Sequence, residues 1–181
     1  ISMEPTADAQ LSAYDAQERE LYRWRYEQFD SAMADRSTHI DEGHLRKYLH
    51  SKEFHPAYER IVGFKRFSML HEDVLLLLRM YARATQGGIV EIGPYVGGST
   101  VAIADGVRAS GRKSPFISVE IGGSYPSHPQ LPSEDIFGDL VKNVTEMELS
   151  QHVHLLNGDS RDPNVVLNVT KLLGESKISL L

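Results

Sequence analysis

The stretch that decides the fold is Ile89-Val-Glu-Ile-Gly-Pro-Tyr-Val-Gly-Gly-Ser-Thr100. It passes from a short apolar run through a glycine-rich turn to residues that can begin a helix, which predicts a strand, a turn and a helix in that order. In an open parallel sheet, ligands bind outside the carboxyl ends of the strands, where glycines let the backbone approach a ligand closely. We therefore expect the functional site at this turn.

Short apolar runs alternate with helical patterns on the carboxyl side of this turn. Predicted strands cover residues 88–93, 116–120, 153–156 and 177–181. One predicted helix starts at Ser99 and ends at Gly111, which acts as its C-cap. Two more start at a cap formed by Ser133 and after Asp162-Pro163, where a cap precedes a proline in the first turn. This alternation predicts an α/β, Rossmann-like fold: a parallel sheet with helices on both faces, of which the chain supplies the first four strands.

The residues before position 87 differ in composition, because they are charged and aromatic with helical spacing. We expect helices over 8–33, 41–50 and 68–85, the first with an aromatic face of Tyr22, Tyr26 and Phe29. Two parts are thus predicted, an N-terminal helical segment over 1–86 and half of a ligand-binding domain over 87–181. The aromatic face favours a homo-oligomer contact through this segment, although packing of the helix within the chain explains the face equally well.

The composition narrows the class of partner. The chain has 181 residues, with 19 basic and 25 acidic side chains and a net charge of −6, which disfavours a nucleic-acid surface. It contains no cysteine, so disulfides, thiolate metal sites and cysteine nucleophiles are excluded. There is no long apolar run and no basic, apolar leader in ISMEPTADAQ, so we expect a cytoplasmic protein that does not bind membranes.

Two common phosphate-binding motifs fit the turn incompletely. A dinucleotide fingerprint needs glycine at the first, third and sixth positions from Gly93, but Tyr95 occupies the third. A phosphate-cradling P-loop has the spacing of Gly93 and Gly98 and a hydroxyl at Thr100, but Ser99 stands where the lysine belongs. Both kinds of site are therefore disfavoured, although a Rossmann-type nucleotide binder stays an alternative.

The pattern Glu-x-Gly-x-x-x-Gly-x-Ser at residues 91–99 resembles motif I of class I S-adenosylmethionine-dependent methyltransferases. Its residues are similar to those of the catechol-type O-methyltransferases and their bacterial relatives that methylate sugars of natural products. The resemblance implies S-adenosylmethionine as cofactor and a small-molecule acceptor, with a hydroxyl oxygen the expected methyl acceptor. It also implies that the helical segment over 1–86 forms part of the acceptor pocket, as a lid. It also implies these cofactor contacts: Glu91 near the methionine amino group, Gly93, Pro94, Tyr95 and Gly97 through the backbone, and Ser99 and Thr100 at the helix start, where anions are favoured.

Two downstream segments extend this resemblance, which covers about residues 67–181. Glu120 ends the second predicted strand, where an acid can accept hydrogen bonds from both ribose hydroxyls of an adenosine. The segment Asn157-Gly-Asp-Ser160 resembles the family's adenine contact, which implicates Gly158, Asp159 and Ser160. Phe67 and Ser68 are further expected contacts, because relatives touch the cofactor just before the preceding helix.

The resemblance says less about catalysis. Catechol-type relatives use a divalent cation such as Mg²⁺, whose first acidic ligand follows the fourth strand, so no metal ligand is expected before Leu181. No catalytic base is identified, although His71 and His128 are candidates for an acid or base in the acceptor site. A non-catalytic S-adenosylmethionine-fold scaffold is the main functional alternative. The sequence ends within the fourth predicted strand, so we expect a truncated sheet with a weakly buried edge.

Overall fold

The computed structural model describes residues 60–180. The predicted helices over 8–33 and 41–50, with their aromatic face, lie outside the described residues. The residues from Arg60 onward belong to one compact unit. The role expected for segment 1–86, as a lid or an oligomer contact, stays a prediction.

Strands and helices alternate through the described residues. The elements are a 3₁₀ turn at Lys65–Phe67, helix α1 at Glu72–Ala84, strand β1 at Gly88–Ile92, helix α2 at Gly98–Ser110, strand β2 at Phe116–Glu120, helix α3 at Ile136–Glu146, a 3₁₀ turn at Ser150–His152, strand β3 at His154–Asn157, helix α4 at Pro163–Leu173 and strand β4 at Ile178–Leu180. Residues 60–64, ahead of the first 3₁₀ turn, are also helical.

The four strands form one parallel sheet in the order β3-β2-β1-β4. This order confirms the predicted α/β, Rossmann-like fold, since the chain reverses its direction of sheet growth between β3 and β4. The register pairs Ile92 with Val119 and Glu120 with Asn157, so the carboxyl ends of β1, β2 and β3 lie side by side. The turn after β1 and the acid at the end of β2 therefore share one edge of the sheet.

The helix ends agree with the predictions at two places and differ at two. Gly111 ends α2 in the left-handed conformation, and Asp162 caps α4 ahead of Pro163, as predicted. The predicted cap at Ser133 is wrong, because the Asp135 side chain accepts the hydrogen bond from Gly138 N (3.0 Å) and α3 starts at Ile136. Helix α1 starts at Glu72, four residues later than predicted, because residues 68–71 between the 3₁₀ turn and the helix are not helical.

The core lies between the sheet and the packed pair α1 and α2. Helix α2 buries nearly every residue from Gly98 to Val107, while α1 buries an apolar face containing Leu75, Leu76 and Met80. The two helices are in close contact at Gly106, where a Cβ would clash with the carbonyl oxygen of Arg79 and lie 2.9 Å from the Ala82 Cβ. Glycine at this position is thus a requirement of the helix contact.

The substitution Gly106→Ala is expected to lower the free energy of unfolding by about 1–3 kcal/mol, because it overpacks this contact. Gly63→Ala is the matched control, since Gly63 is also helical and a Cβ there would meet no atom within 4 Å. Urea unfolding of both variants measures the difference. An equal effect of the two substitutions would show that close packing does not select Gly106.

The carboxyl-side elements are weakly buried within the described part of the chain. Helix α4 has no buried residue there, and its Val166 and Leu167 are 49% and 50% exposed. In β4, Ile178 is also half exposed. This is the weak burial expected beside the fourth strand, while the truncation itself stays a prediction. No helix among residues 60–180 is long and apolar enough to cross a membrane.

Candidate functional site

The turn after β1 has an unusual backbone. Gly93, Tyr95 and Gly97 all have positive φ, at 73°, 60° and 96°, and this is rare for a residue with a Cβ such as Tyr95. The Gly93 amide donates to the Val119 carbonyl oxygen at 2.9 Å, which ties the turn to β2. A Cβ at Gly93 would meet no atom within 4 Å, so the backbone here faces open space. Gly93 and Pro94 therefore begin a turn that a ligand can approach.

Close packing, in contrast, fixes the next two glycines. A Cβ at Gly97 would lie 2.6 Å from Leu140 Cδ1 of α3. A Cβ at Gly98 would clash with the Ser68 side chain and lie 2.7 Å from the Phe67 carbonyl oxygen. Phe67 and Ser68 are thus neighbours of the start of α2, beside the turn where the family resemblance expects them. Their contact with a cofactor stays a prediction.

Glu91 has a buried set of hydroxyl partners. Its Oε2 accepts hydrogen bonds from Thr100 Oγ1 and Ser118 Oγ, both at 2.7 Å. Burial of the carboxylate raises the pKa of Glu91, although the hydroxyls of Ser99, Thr100 and Ser118 lower it and the nearby Glu120 raises it further. The residue as a whole keeps some exposed surface, but its carboxylate is enclosed. The sequence did not indicate Ser118, and only the pairing of Glu91 with Ser118 in the sheet reveals it.

The raised pKa of Glu91 predicts a pH dependence of stability. The folded protein holds this proton more tightly than the unfolded chain, so stability falls as pH rises from the usual pKa of 4.5 through the raised value. Glu91→Gln removes this fall and keeps an oxygen for Thr100 and Ser118. Urea unfolding should therefore favour the variant over the parent more strongly at about pH 8 than at about pH 5. The exposed Glu134 gives the control Glu134→Gln, and an equal effect of Glu91→Gln at both pH values would contradict the prediction.

The Glu120 carboxylate accepts hydrogen bonds from the turn after β1 and from the segment that follows β2. Its Oε2 accepts from the Tyr95 amide at 2.8 Å, and its Oε1 accepts from the Gly122 amide at 3.0 Å. The residue is only 5% exposed. A carboxylate has about four lone-pair positions, so two acceptor positions remain for a ligand that donates two hydrogen bonds. Glu120 therefore fits a diol.

The segment after β3 packs against the same carboxyl edge. Asn157 Nδ2 donates to the Glu120 carbonyl oxygen at 3.1 Å, and the Gly158 amide donates to the same oxygen at 2.9 Å. Asp159 binds Arg161 instead, through Nε at 3.0 Å and Nη2 at 2.6 Å, which lowers the pKa of Asp159 to about 2. The carboxylate of Asp159 is thus already paired, and the adenine contacts expected from Gly158, Asp159 and Ser160 stay predictions. Asn157 belongs to the segment that the sequence singled out, but the sequence did not indicate its contact with Glu120.

The two candidate histidines have structural partners. His71 is the N-cap of α1, where its Nδ1 accepts from the Asp73 amide at 3.3 Å and its side chain is 68% exposed. His128 lies in the β2 loop, which is the segment between β2 and α3 at residues 121–135. Its Nδ1 accepts from backbone amides of that loop, and its ring contacts Tyr95. Each imidazole therefore uses its Nδ1 to shape the backbone.

A cavity of about 210 Å³ lies beside the turn. Its lining is mixed in polarity and comprises Arg66, Phe67, Val96, Gln130, Leu131, Pro132, Asp139 and Asn143. Asn143 Nδ2 donates to the Val96 carbonyl oxygen at 2.8 Å, which fastens α3 to the turn. Across residues 60–180, no group of three or more histidine or acidic side chains gathers in a way that would hold a metal ion.

Comparisons with known proteins give matches among solved structures. No family model and no curated protein matches the chain. The SAH-bound Podospora anserina methyltransferase PaMTH1 is 18% identical with a TM-score of 0.43, and the match covers 97% of this chain and 58% of that one. TomG from Streptomyces achromogenes, an O-methyltransferase involved in tomaymycin synthesis and solved with SAM, is 15% identical with a TM-score of 0.40, covering 84% and 56%. A putative O-methyltransferase from Klebsiella pneumoniae is 21% identical with a TM-score of 0.40, covering 66% and 48%. The chain thus spans about half the length of these structures.

Proposed function

We propose that the chain belongs to an S-adenosylmethionine-dependent methyltransferase that modifies a hydroxyl oxygen of a small molecule. The observation that carries this proposal is the pairing, at one edge of the sheet, of the open glycine turn after β1 with the Glu120 carboxylate after β2. The open turn suits the sugar and amino-acid part of an adenosine-containing cofactor, and the Glu120 carboxylate on the adjacent strand suits its ribose diol.

The charge at the turn supports this cofactor over a nucleoside polyphosphate. Glu91 and Glu120 place acidic side chains at the turn. Their carboxylates would repel the phosphate groups of a nucleotide. The Tyr95 amide, at the position where a dinucleotide fingerprint has its second glycine, already donates to Glu120. A cofactor with a cationic sulfonium and an ammonium group avoids both difficulties.

Each residue then has a role in binding. Glu120 would accept from the two ribose hydroxyls, while the open backbone at Gly93 would admit the sugar and the amino-acid part. The amino end of α2, with Ser99 in its first turn, would favour the methionine carboxylate. Glu91 would orient the methionine ammonium group through water, since its Oε2 is occupied by Thr100 and Ser118.

The cofactor supplies an electrophilic methyl group on a positively charged sulfur. Transfer of that methyl group to an acceptor oxygen would leave the sulfur as a neutral thioether and would require a base to take the hydroxyl proton. The described residues would contribute alignment of the two reactants. Neither His71 nor His128 is assigned as the base, because the Nδ1 atom of each accepts backbone hydrogen bonds.

Transfer of a labelled methyl group to a panel of phenols and glycosides tests this function. We expect incorporation into at least one hydroxylated acceptor, and its loss in Glu120→Ala. Binding of S-adenosylhomocysteine without transfer to any member of the panel would favour the alternative, a non-catalytic protein of the same fold.

A further inference from the structure

His128 is held in one protonation state by the backbone around it. Its Nδ1 lies 3.2 Å from the Gln130 amide nitrogen and 3.0 Å from that of Leu131, and both amides donate to it. A neutral imidazole has one acceptor nitrogen and a protonated imidazole has none. The observed loop conformation therefore requires a neutral His128 with its proton on Nε2.

The β2 loop is also fastened to the turn after β1 through Tyr95. The Tyr95 hydroxyl donates to the Leu131 carbonyl oxygen at 2.6 Å, so Leu131 is held by its N–H on one side and its C=O on the other. The His128 ring lies between two tyrosines, with its centroid 5.3 Å from that of Tyr95 and 5.0 Å from that of Tyr125. Tyr125 in turn pairs with Ser133 through two backbone hydrogen bonds. These contacts hold the β2 loop against the turn after β1.

The same contacts lead to Glu120. The Tyr95 amide donates to Glu120 Oε2, and the Gly122 amide, at the start of the β2 loop, donates to Oε1. Glu120 is thus bonded to the turn through Tyr95 and to the start of the β2 loop through Gly122, and the bond between Tyr95 and Leu131 joins the same two segments.

We propose that His128 is a positioning residue whose neutral imidazole keeps the β2 loop closed and Glu120 in place, so that protonation of His128 opens the loop and weakens cofactor binding. The second half of this inference rests on the proposed function. The first half concerns the loop alone and holds without any cofactor.

Four other titratable groups, two tyrosines and two acids, belong to the hydrogen-bond and ring contacts of the β2 loop and the turn. The phenols of Tyr95 and Tyr125 face its ring, and burial raises the pKa of Tyr95, with Tyr125 and Asp139 adding to the rise. Asp139, on α3, accepts from Ser133 Oγ at 2.6 Å, and Glu120 accepts from the Tyr95 amide. The raised pKa keeps the Tyr95 phenol a neutral donor over the range of about pH 5 to pH 8 in which imidazoles usually titrate.

Two substitutions of His128 separate its hydrogen-bonding role from its bulk. In His128→Asn, the side-chain oxygen takes the place of Nδ1 as acceptor and does not titrate in this range. In His128→Phe, the ring remains but the acceptor is lost. His154→Asn is the matched control, because His154 is exposed on β3 and lies outside the loop.

The first measurement is the affinity for S-adenosylhomocysteine at about pH 8 and about pH 5.5, by titration calorimetry of the full chain. We expect the affinity of the parent and of His154→Asn to fall roughly tenfold on acidification, as two backbone hydrogen bonds are lost. His128→Asn should bind equally at both pH values, and His128→Phe should bind weakly at both. An equal pH dependence in the parent and in His128→Asn would overturn the proposal.

The second measurement uses the protein without ligand, so that it stands apart from the proposed function. Amide hydrogen exchange at Gln130 and Leu131, corrected for intrinsic rates, should lose protection at about pH 5.5 in the parent and keep it in His128→Asn. Unchanged protection in the parent would overturn the loop mechanism. Loss of protection together with no binding of S-adenosylhomocysteine would uphold the loop mechanism and count against the cofactor.

Discussion

The substitution Asp105→Asn is expected to lower the free energy of unfolding by about 3–5 kcal/mol, because it removes the carboxylate from a buried cluster of charges. Asp105 is 1% exposed, yet three arginines converge on its carboxylate. Arg79 Nε donates to Oδ2 at 2.7 Å and Arg108 Nη2 to Oδ1 at 2.6 Å, while Arg60 contacts Oδ1 as well. Asparagine in this place takes the Asp105 negative charge away from all three guanidinium groups and turns an N–H toward one of them.

The control for this experiment is Asp159→Asn. Asp159 has a similar pairing with one arginine, but the pair is exposed at the surface, where solvent screens it. Urea unfolding should therefore show little change for Asp159→Asn and a large loss for Asp105→Asn. A small effect at both positions would mean that the arginine cluster adjusts to the loss of its carboxylate.

The substitution Glu120→Ala is expected to weaken S-adenosylhomocysteine binding by about a hundredfold or more. Hydrogen bonds to a charged partner contribute about 1.5–3 kcal/mol each, and two ribose hydroxyls would lose theirs. The substitution also removes the partner of the Tyr95 and Gly122 amides, so the turn and the β2 loop lose their common anchor. Titration calorimetry measures the loss.

Two further variants make the Glu120 result interpretable. Glu120→Gln keeps the size of the side chain but presents an amide group to the Tyr95 or Gly122 N–H, so it should also bind weakly. Glu134→Gln makes the same charge change at an exposed residue of the β2 loop and should bind as the parent does. Far-UV circular dichroism establishes that each variant is folded. Parent-like binding by folded Glu120→Ala would remove Glu120 from the site.

The sequence predicted the order of the elements because each left a local pattern. The strands at Gly88–Ile92 and Phe116–Glu120 are apolar runs bounded by turn residues. The helix ends at Gly111 and Pro163 depend on the backbone conformation that each of these residues favours by itself. The acid at Glu120 was predictable as well, since a strand end in a parallel sheet fixes its location. These features need no knowledge of distant contacts.

The residues that the sequence did not indicate act through partners far along the chain. Ser118 is one of many small residues in strands, and only its position beside Glu91 in the sheet gives it a role. Asn157 and Asp105 similarly depend on contacts with Glu120 and with Arg60 and Arg79. The cap at Asp135 was missed because Ser133, an equally good cap by type, pairs with Tyr125 instead. Local propensity cannot separate such alternatives.

Titration calorimetry of the unmodified chain with S-adenosylhomocysteine tests the central claim most directly. We expect one site per chain with a dissociation constant on the order of 1 μM at about pH 8, and no binding of NAD or ATP under the same conditions. Absence of a binding signal from the folded chain with S-adenosylhomocysteine, or tighter binding of NAD or ATP, would contradict the assignment of this sheet edge to a sulfonium cofactor.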